Sequence, residues 1–165
     1  MVEIKKFEEL ERDEIYQIAQ LRNDIFIHEQ SMDMRNLDAM DYIADHAFIK
    51  EGYSLVCYMR IHKIDEKNKI YQISRVVTHR DFSGKSLARK LLTEVMEYID
   101  KELDAKEGRI NAQEYVSDYY ASFGFKREGE VFDDGGIEHI WMKRYYVGHN
   151  SSIYWNMYEI YVKHK

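Results

Sequence analysis

Residues 75–92 read RVVTHRDFSGKSLARKLL: a β-branched run, a polar turn, then the start of an apolar-periodic helix. Backbone N–H groups at the start of a helix have no intrahelical acceptor and point outward, so such a junction is a ready anion site. Ser83, Gly84, Ser86 and Ala88 are small enough to let a phosphate approach those groups, and Lys85 and Arg89 add positive charge. The same residues also suit an ordinary polar turn capped by Ser83, and the segment by itself leaves both readings open. The single cysteine, Cys57, lies in the apolar run SLVCYM, the setting of a buried structural thiol.

These residues need a frame. VEIKKF at 2–7 reads as a strand, and 8–28 as a helix with Ile15, Ile18, Ala19, Ile25 and Phe26 at helical spacing. Residues 29–44 are polar and irregular, a loop with a helical turn. Strands follow at 46–50 and 54–61 around Glu51-Gly52, and a third at 69–78. The helix from near Lys85 carries one apolar stripe through Leu87, Leu91, Leu92, Val95, Ile99 and Leu103. A short strand at 109–112, a short helix at 116–123 stopped by Gly124, and a strand pair at 126–132 and 137–144 complete the pattern. The order β-α-β-β-β-α-β-α-β-β predicts a mixed α/β (α+β) sheet with helices on both faces. Residues 145–165 are rich in Tyr and Trp, and helix and strand both fit them.

The chain of 165 residues fits one domain with one core. Its net charge of −6 disfavours a general nucleic-acid binder and suits a cationic substrate. No stretch approaches the roughly 18–20 apolar residues of a membrane span. The opening MVEIKKFEELERDE is acidic where a secretory signal is apolar. With one cysteine, no intrachain disulfide forms, which suits a reducing cytoplasm.

A second segment, Tyr119-Tyr120-Ala-Ser-Phe-Gly-Phe125 followed by Glu128-Gly129-Glu130, stands one strand downstream of the first. In order and spacing the two together resemble the GNAT superfamily of N-acetyltransferases. The closer resemblance is to its ElaA-like branch. It is carried by Leu21-Arg22-Asn-Asp-Ile-Phe26, Glu29-Gln30, Asp38, Asp41 and His46, then Ala112-Gln113, Gly136-Ile137-Glu-His139 and Met142. It covers 1–144 and makes that stretch the expected acetyltransferase domain. Residues 145–165 are then an extension, packed on the domain or at a homodimer interface.

The resemblance implies a mostly antiparallel sheet whose central strands splay into a V that holds coenzyme A. The backbone of Val76, Val77 and Thr78 would pair with the pantetheine arm. Ser83, Gly84, Lys85, Ser86, Leu87, Ala88 and Arg89 would hold the pyrophosphate, and Gln113 would contact the cofactor. The family's loop is Arg/Gln-x-x-Gly-x-Gly/Ala; here Ser83 replaces the Arg and Ser86 the middle Gly. A Cβ at Ser86 would hinder close approach or require a backbone angle that Ser disfavours. Tyr120 aligns with the tyrosine that protonates the departing thiolate, and a phenol suits that task.

The implied reaction is direct transfer of an acetyl group from acetyl-CoA to an amine, without metal and without a covalent enzyme intermediate. The amine must lose a proton, and the resemblance places Glu29, Asp41, His46, Asp134 and His139 around the acceptor, Glu29 among the catalytic candidates. The alternative is a non-catalytic CoA-binding sensor or interaction module on the same fold. The fold does not choose among amine acceptors.

Overall fold

The structure is a computed structural model and describes residues 1–146. The expectations for the aromatic tail from residue 147 onward lie outside the described residues.

The seven strands are β1 (Val2–Lys6), β2 (Asp45–Glu51), β3 (Ser54–Asp65), β4 (Ile70–Thr78), β5 (Glu107–Gln113), β6 (Lys126–Asp134) and β7 (Ile137–Tyr145). They form one sheet in the order β1-β2-β3-β4-β5-β7-β6. Only β4 and β5 pair in parallel; the other neighbours are antiparallel. The helices are α1 (Arg12–Asn23), α2 (Leu87–Lys101) and α3 (Ser117–Ala121). The mixed, mostly antiparallel sheet with helices on both faces is the architecture expected from the sequence.

The α2 stripe is buried as its periodicity requires: Leu91, Leu92, Val95, Met96 and Ile99 pack on Ala47, Met59, Ile73 and Ile110. On the opposite face, Ile18 and Leu21 of α1 pack on Phe48, Tyr58 and Val77. α1 starts where the Glu11 N–H donates to Glu14 Oε2 at 3.0 Å. The buried Glu14 carboxylate also accepts from Lys5 at 2.9 Å and Lys50 at 2.6 Å, tying α1 to β1 and β2. Burial alone would raise this carboxyl, but its bonds to Lys50, the Glu11 N–H and Lys5 outweigh it and bring it down to about 2.

The sequence predicts one helix over 8–28, and the structure divides it. Phe7–Glu9 forms a 3-10 turn before α1, and Asp24–Glu29 follows α1 as a wide π-helical turn. Its closing bond runs from the Gln30 N–H to the Ile25 carbonyl at 3.0 Å. The wider turn keeps Phe26 buried while re-aiming Glu29 and Gln30, a displacement that apolar periodicity does not reveal. The chain ends its described path at Tyr146, which is buried against Gly108. A Cβ at Gly108 would lie 2.8 Å from the tyrosine ring.

Beneath α1, a buried polar cluster fixes residues 33–42 to the sheet. Arg60 Nη1 donates to Asp38 at 2.6 Å and to Asp41 at 2.9 Å, and Arg22 Nη1 donates to Asp41 at 2.7 Å. Arg22 also bonds the side chain of Asn36 at 3.2 Å and the Asn36 carbonyl. His62, on the same strand face as Arg60, is buried, and its Nδ1 has no partner among the described residues. Burial, together with the charge of Arg60, pushes its imidazole down to about 4.

Candidate active site

The parallel pairing of β4 and β5 runs from Ile70↔Glu107 to Ile73↔Ile110 and stops there. Beyond it the strands diverge, so the β5-facing edge of Ser74–Thr78 has no strand partner. Its unpaired backbone groups face the gap and need an acceptor or donor from elsewhere. β4 also bulges against β3: Arg60 pairs with Ser74 and Tyr58 with Val77, leaving one extra residue in β4. Arg75 takes up that residue in the left-handed conformation, with φ 55°. Its guanidinium bonds the carbonyls of Asn36 and Arg35, each at 3.1 Å, and so anchors the bulge to the neighbouring loop.

The gap is a cleft of about 450 Å³. Val76, Val77 and Thr78 line one wall, Asn111, Ala112 and Gln113 the other, and Tyr120 reaches it from α3. A second hollow, of about 260 Å³, continues from it and shares Thr78, Ser83 and Tyr119 with the first. Gly84, Ser86, Leu87, Ala88 and Arg89 line this hollow, so the small-residue turn and the splayed strands form one continuous surface. Lys85 lies outside it, with Nζ 4.6 Å from the centre of the Phe82 ring. The Arg89 guanidinium sits 4.7 Å from the Phe123 ring and 5.5 Å from the Tyr119 ring.

Ser86 caps α2 in the left-handed conformation, φ 59° and ψ 13°. Of the two costs expected of a Ser at this position, hindered approach or a disfavoured backbone angle, the angle is present here. Gly84 has φ 77°, and a Cβ there would meet nothing within 4 Å, so the turn is open on that side. Tyr119 Oη is buried and has no hydrogen-bond partner among the described residues, although it lines both hollows. Such an orphaned donor carries a desolvation cost that a polar ligand removes.

At the other end of the cleft stand Glu29, Asp134 and His139. Asp134 Oδ2 accepts from Asn111 Nδ2 at 2.8 Å, and Asn111 Oδ1 is buried without a partner among the described residues. Gln30 and Gln113 exchange amide bonds of 3.3 and 2.8 Å across the cleft. Beside them, the Asp33 N–H donates to the Gly135 carbonyl at 3.1 Å, so the segment after the π-turn reaches the β6–β7 turn. Residues 83 positions apart give no local signal of the Gln30–Gln113 pair.

Asp41 and His46 are not brought to this cleft, which differs from the expectation for them. Both line a separate hollow of about 380 Å³ bounded by Phe7, Leu10 and Ile15. Asp41 is occupied by Arg22 and Arg60. Both ring nitrogens of His46 are engaged, Nδ1 with Tyr58 Oη at 2.8 Å and Nε2 with the Asp41 carbonyl at 2.9 Å. Burial pushes the His46 imidazole down, so it stays neutral as part of the fold. Cys57 is buried with Sγ 3.3 Å from Thr78 Oγ1, and burial pushes its thiol up. Among the described residues, no group of three or more His, Cys, Asp or Glu side chains is placed to hold a metal ion.

The profile of the family described as "Acetyltransferase (GNAT) domain" matches residues 16–146. The chain belongs to the GNAT acetyltransferase family. It is similar to Protein ElaA of Escherichia coli strain K12, with 30% identity over 138 residues, 82% of this chain and 90% of that protein. A UPF0039 protein of Schizosaccharomyces pombe is 30% identical over 141 residues, 84% of this chain and 93% of its own length. The crystal structure of E. coli ElaA superposes with a TM-score of 0.79 at 28% identity, covering 87% of this chain and 99% of that one. An acyl-CoA N-acyltransferase from Pseudomonas aeruginosa superposes with the same TM-score at 25% identity and the same coverage. The chain is therefore a GNAT acyltransferase of the ElaA-like type, and the β4–β5 cleft is the V of that fold.

Proposed function

We propose that the protein moves an acetyl group from acetyl-CoA to an amine by direct attack. The two adjoining hollows that share Thr78, Ser83 and Tyr119, one at the Ser83–Ala88 turn and the other running past the unpaired edge of Val76–Thr78 to the carboxylates of Glu29 and Asp134, carry this reading. The thioester supplies an activated acyl carbon. The open turn and the start of α2 suit a pyrophosphate. The bare edge of Val76–Thr78 suits an amide-bearing arm, and its N–H groups would polarise the thioester carbonyl. Tyr119 Oη and Asn111 Oδ1 are polar atoms that gain a partner when such a ligand is in place.

Burial pushes the Tyr120 phenol above its ordinary value, so it holds its proton through the neutral range and can give it to a departing thiolate. Glu29 and Asp134 attract a cationic amine to the far end. Gln113, held by Gln30, faces the cleft beside them. Among the described residues, no helix is long and apolar enough to cross a membrane. The reading places the enzyme in the cytoplasm and gives it no nucleic-acid partner.

The test is calorimetric titration with acetyl-CoA, followed by mass detection of acetylated product over a panel of amines. One-site binding with turnover supports the reading. Saturable binding with no product from any amine favours the CoA-binding module instead, and no binding at millimolar acetyl-CoA overturns both.

A further inference from the structure

The geometry points to His139 Nε2 as the base that takes the proton from the incoming ammonium, an assignment that rests on the acyl-transfer reading above. An ammonium has no lone pair, so the reaction needs a group that is unprotonated near neutral pH and open to the acceptor end of the cleft. His46 and Asp41 fail the second condition. Glu29 meets both conditions but is exposed at the end of the π-turn with no hydrogen bond among the described residues to orient it, and Asp134 already accepts from Asn111.

His139 is buried, and what it exposes faces the cleft that it lines. Its Nδ1 lies 2.8 Å from the Ile137 carbonyl. A carbonyl only accepts, so Nδ1 carries the hydrogen and the lone pair resides on Nε2. Nε2 has no protein partner among the described residues. His139 has a cross-strand neighbour on each side: Gln113 of β5, and Phe132 of β6, whose ring centre lies 6.3 Å from the imidazole with the planes tilted by 33°. The tautomer and the orientation are therefore fixed by main chain and packing, the role that a carboxylate fills for many catalytic histidines. The titratable and charged groups sharing the cleft are Glu29 from the π-turn, Arg75 and Arg80 from β4 and its following turn, Asp134 from β6, and Tyr115, Tyr119 and Tyr120 around α3.

The step balances as follows. Nε2 takes one proton from the ammonium and later releases it to solvent. The neutral nitrogen forms the new C–N bond, the C–S bond breaks with its electron pair on sulfur, and Tyr120 gives sulfur its proton. The second proton of the attached nitrogen returns to the Tyr120 oxygen, so the net products are the amide, the thiol and one released proton.

The test compares the wild type with His139→Asn, whose amide N–H can still donate to Ile137 while nothing replaces Nε2. Two acceptors are used, an alkylamine that is cationic at pH 7 and an arylamine that is neutral there. The variant is expected to keep its affinity for acetyl-CoA, to lose about 100-fold in kcat/KM with the alkylamine, and to retain turnover of the arylamine. Equal losses with both acceptors, or no loss with either, overturn the assignment while leaving acyl transfer standing. A wild type that acetylates no amine of the wider panel overturns both. Nitrogen-15 NMR of the wild type should show hydrogen on Nδ1 of His139; hydrogen on Nε2 overturns the assignment even if the variant fails to fold.

Discussion

Arg75 Nη2 donates to Asp38 Oδ2 at 3.1 Å, joining the left-handed bulge of β4 to the loop that carries the 3-10 turn at Ala39–Tyr42. Asp38 also accepts from Arg60 and from the Met40 N–H at 3.0 Å. One carboxylate thus positions the cleft wall, the loop and β3 together. Asp38→Ala is expected to lower stability by about 3 kcal/mol, because it leaves Arg60 short of an acceptor in a buried site. Combined with Arg75→Ala, the loss should be less than the sum of the two single losses. Urea unfolding of the four proteins in the cycle measures this.

Ser86 occupies a backbone region that side chains with a Cβ disfavour by roughly 1–2 kcal/mol. Ser86→Gly is therefore expected to raise stability by about 1 kcal/mol, or Tm by about 3 °C for a chain of this size. Acetyl-CoA should bind the variant more tightly, because the turn gains room for an anion. Scanning calorimetry and titration check the two effects separately. Weaker binding would show that the Ser86 hydroxyl contributes to the site.

Tyr120→Phe keeps the ring packed against Tyr119 and Phe125 and removes only the proton donor. It is expected to lower kcat by about 100-fold and leave the dissociation constant of acetyl-CoA within about twofold. Steady-state kinetics set beside calorimetry reads the difference. An unchanged kcat removes Tyr120 from the proton path.

Stability should fall in two stages as the solution is acidified. His62 is held down to about 4, against an ordinary value of 6.5. Between these values the unfolded chain binds a proton that the folded chain refuses, so stability is complete above pH 6.5 and declines by roughly 2 kcal/mol toward pH 4. Glu14 is held down to about 2, against 4.5, so its ion pairs supply stability that is lost as pH falls from 4.5 toward 2. His62→Gln should remove the first stage and Glu14→Gln the second, as read by urea unfolding at a series of pH values.

Local periodicity is enough for much of the fold. The α2 stripe, the succession of strands and helices along the chain, and the glycine turn at Gly124, which has φ 86°, follow from patterns within a few residues, whereas the placing of β7 between β5 and β6 does not. The turn at Ser83–Ala88 was legible for the same reason, since small residues and a helix start are neighbours in sequence. The π-turn at Asp24–Glu29 was hidden because its extra residue leaves the apolar pattern helical. The far end of the cleft was only partly legible. Glu29, Asp134 and His139 meet there, but the pairing of Gln30 with Gln113 depends on tertiary distances that no spacing encodes. Asp41 and His46 show the converse: polar residues in a suggestive pattern were recruited to solvate Arg22, Arg60 and Tyr58 inside the fold.

The bond between the Asp33 amide and the Gly135 carbonyl gives the cleft a property that its strands alone would lack. Two strands joined at a vertex make a fork; here the loop that Arg75 anchors to one prong also grips the turn between β6 and β7 beyond the other, so the prongs are bridged through their neighbours into a loop of fixed girth. Gly135, with φ 65°, admits that tie because a Cβ would sit 3.1 Å from the Asp33 carbonyl oxygen. Widening the gap then requires the Asp33 amide to let go, and its exchange with deuterated solvent becomes a clock for how often the enzyme yawns.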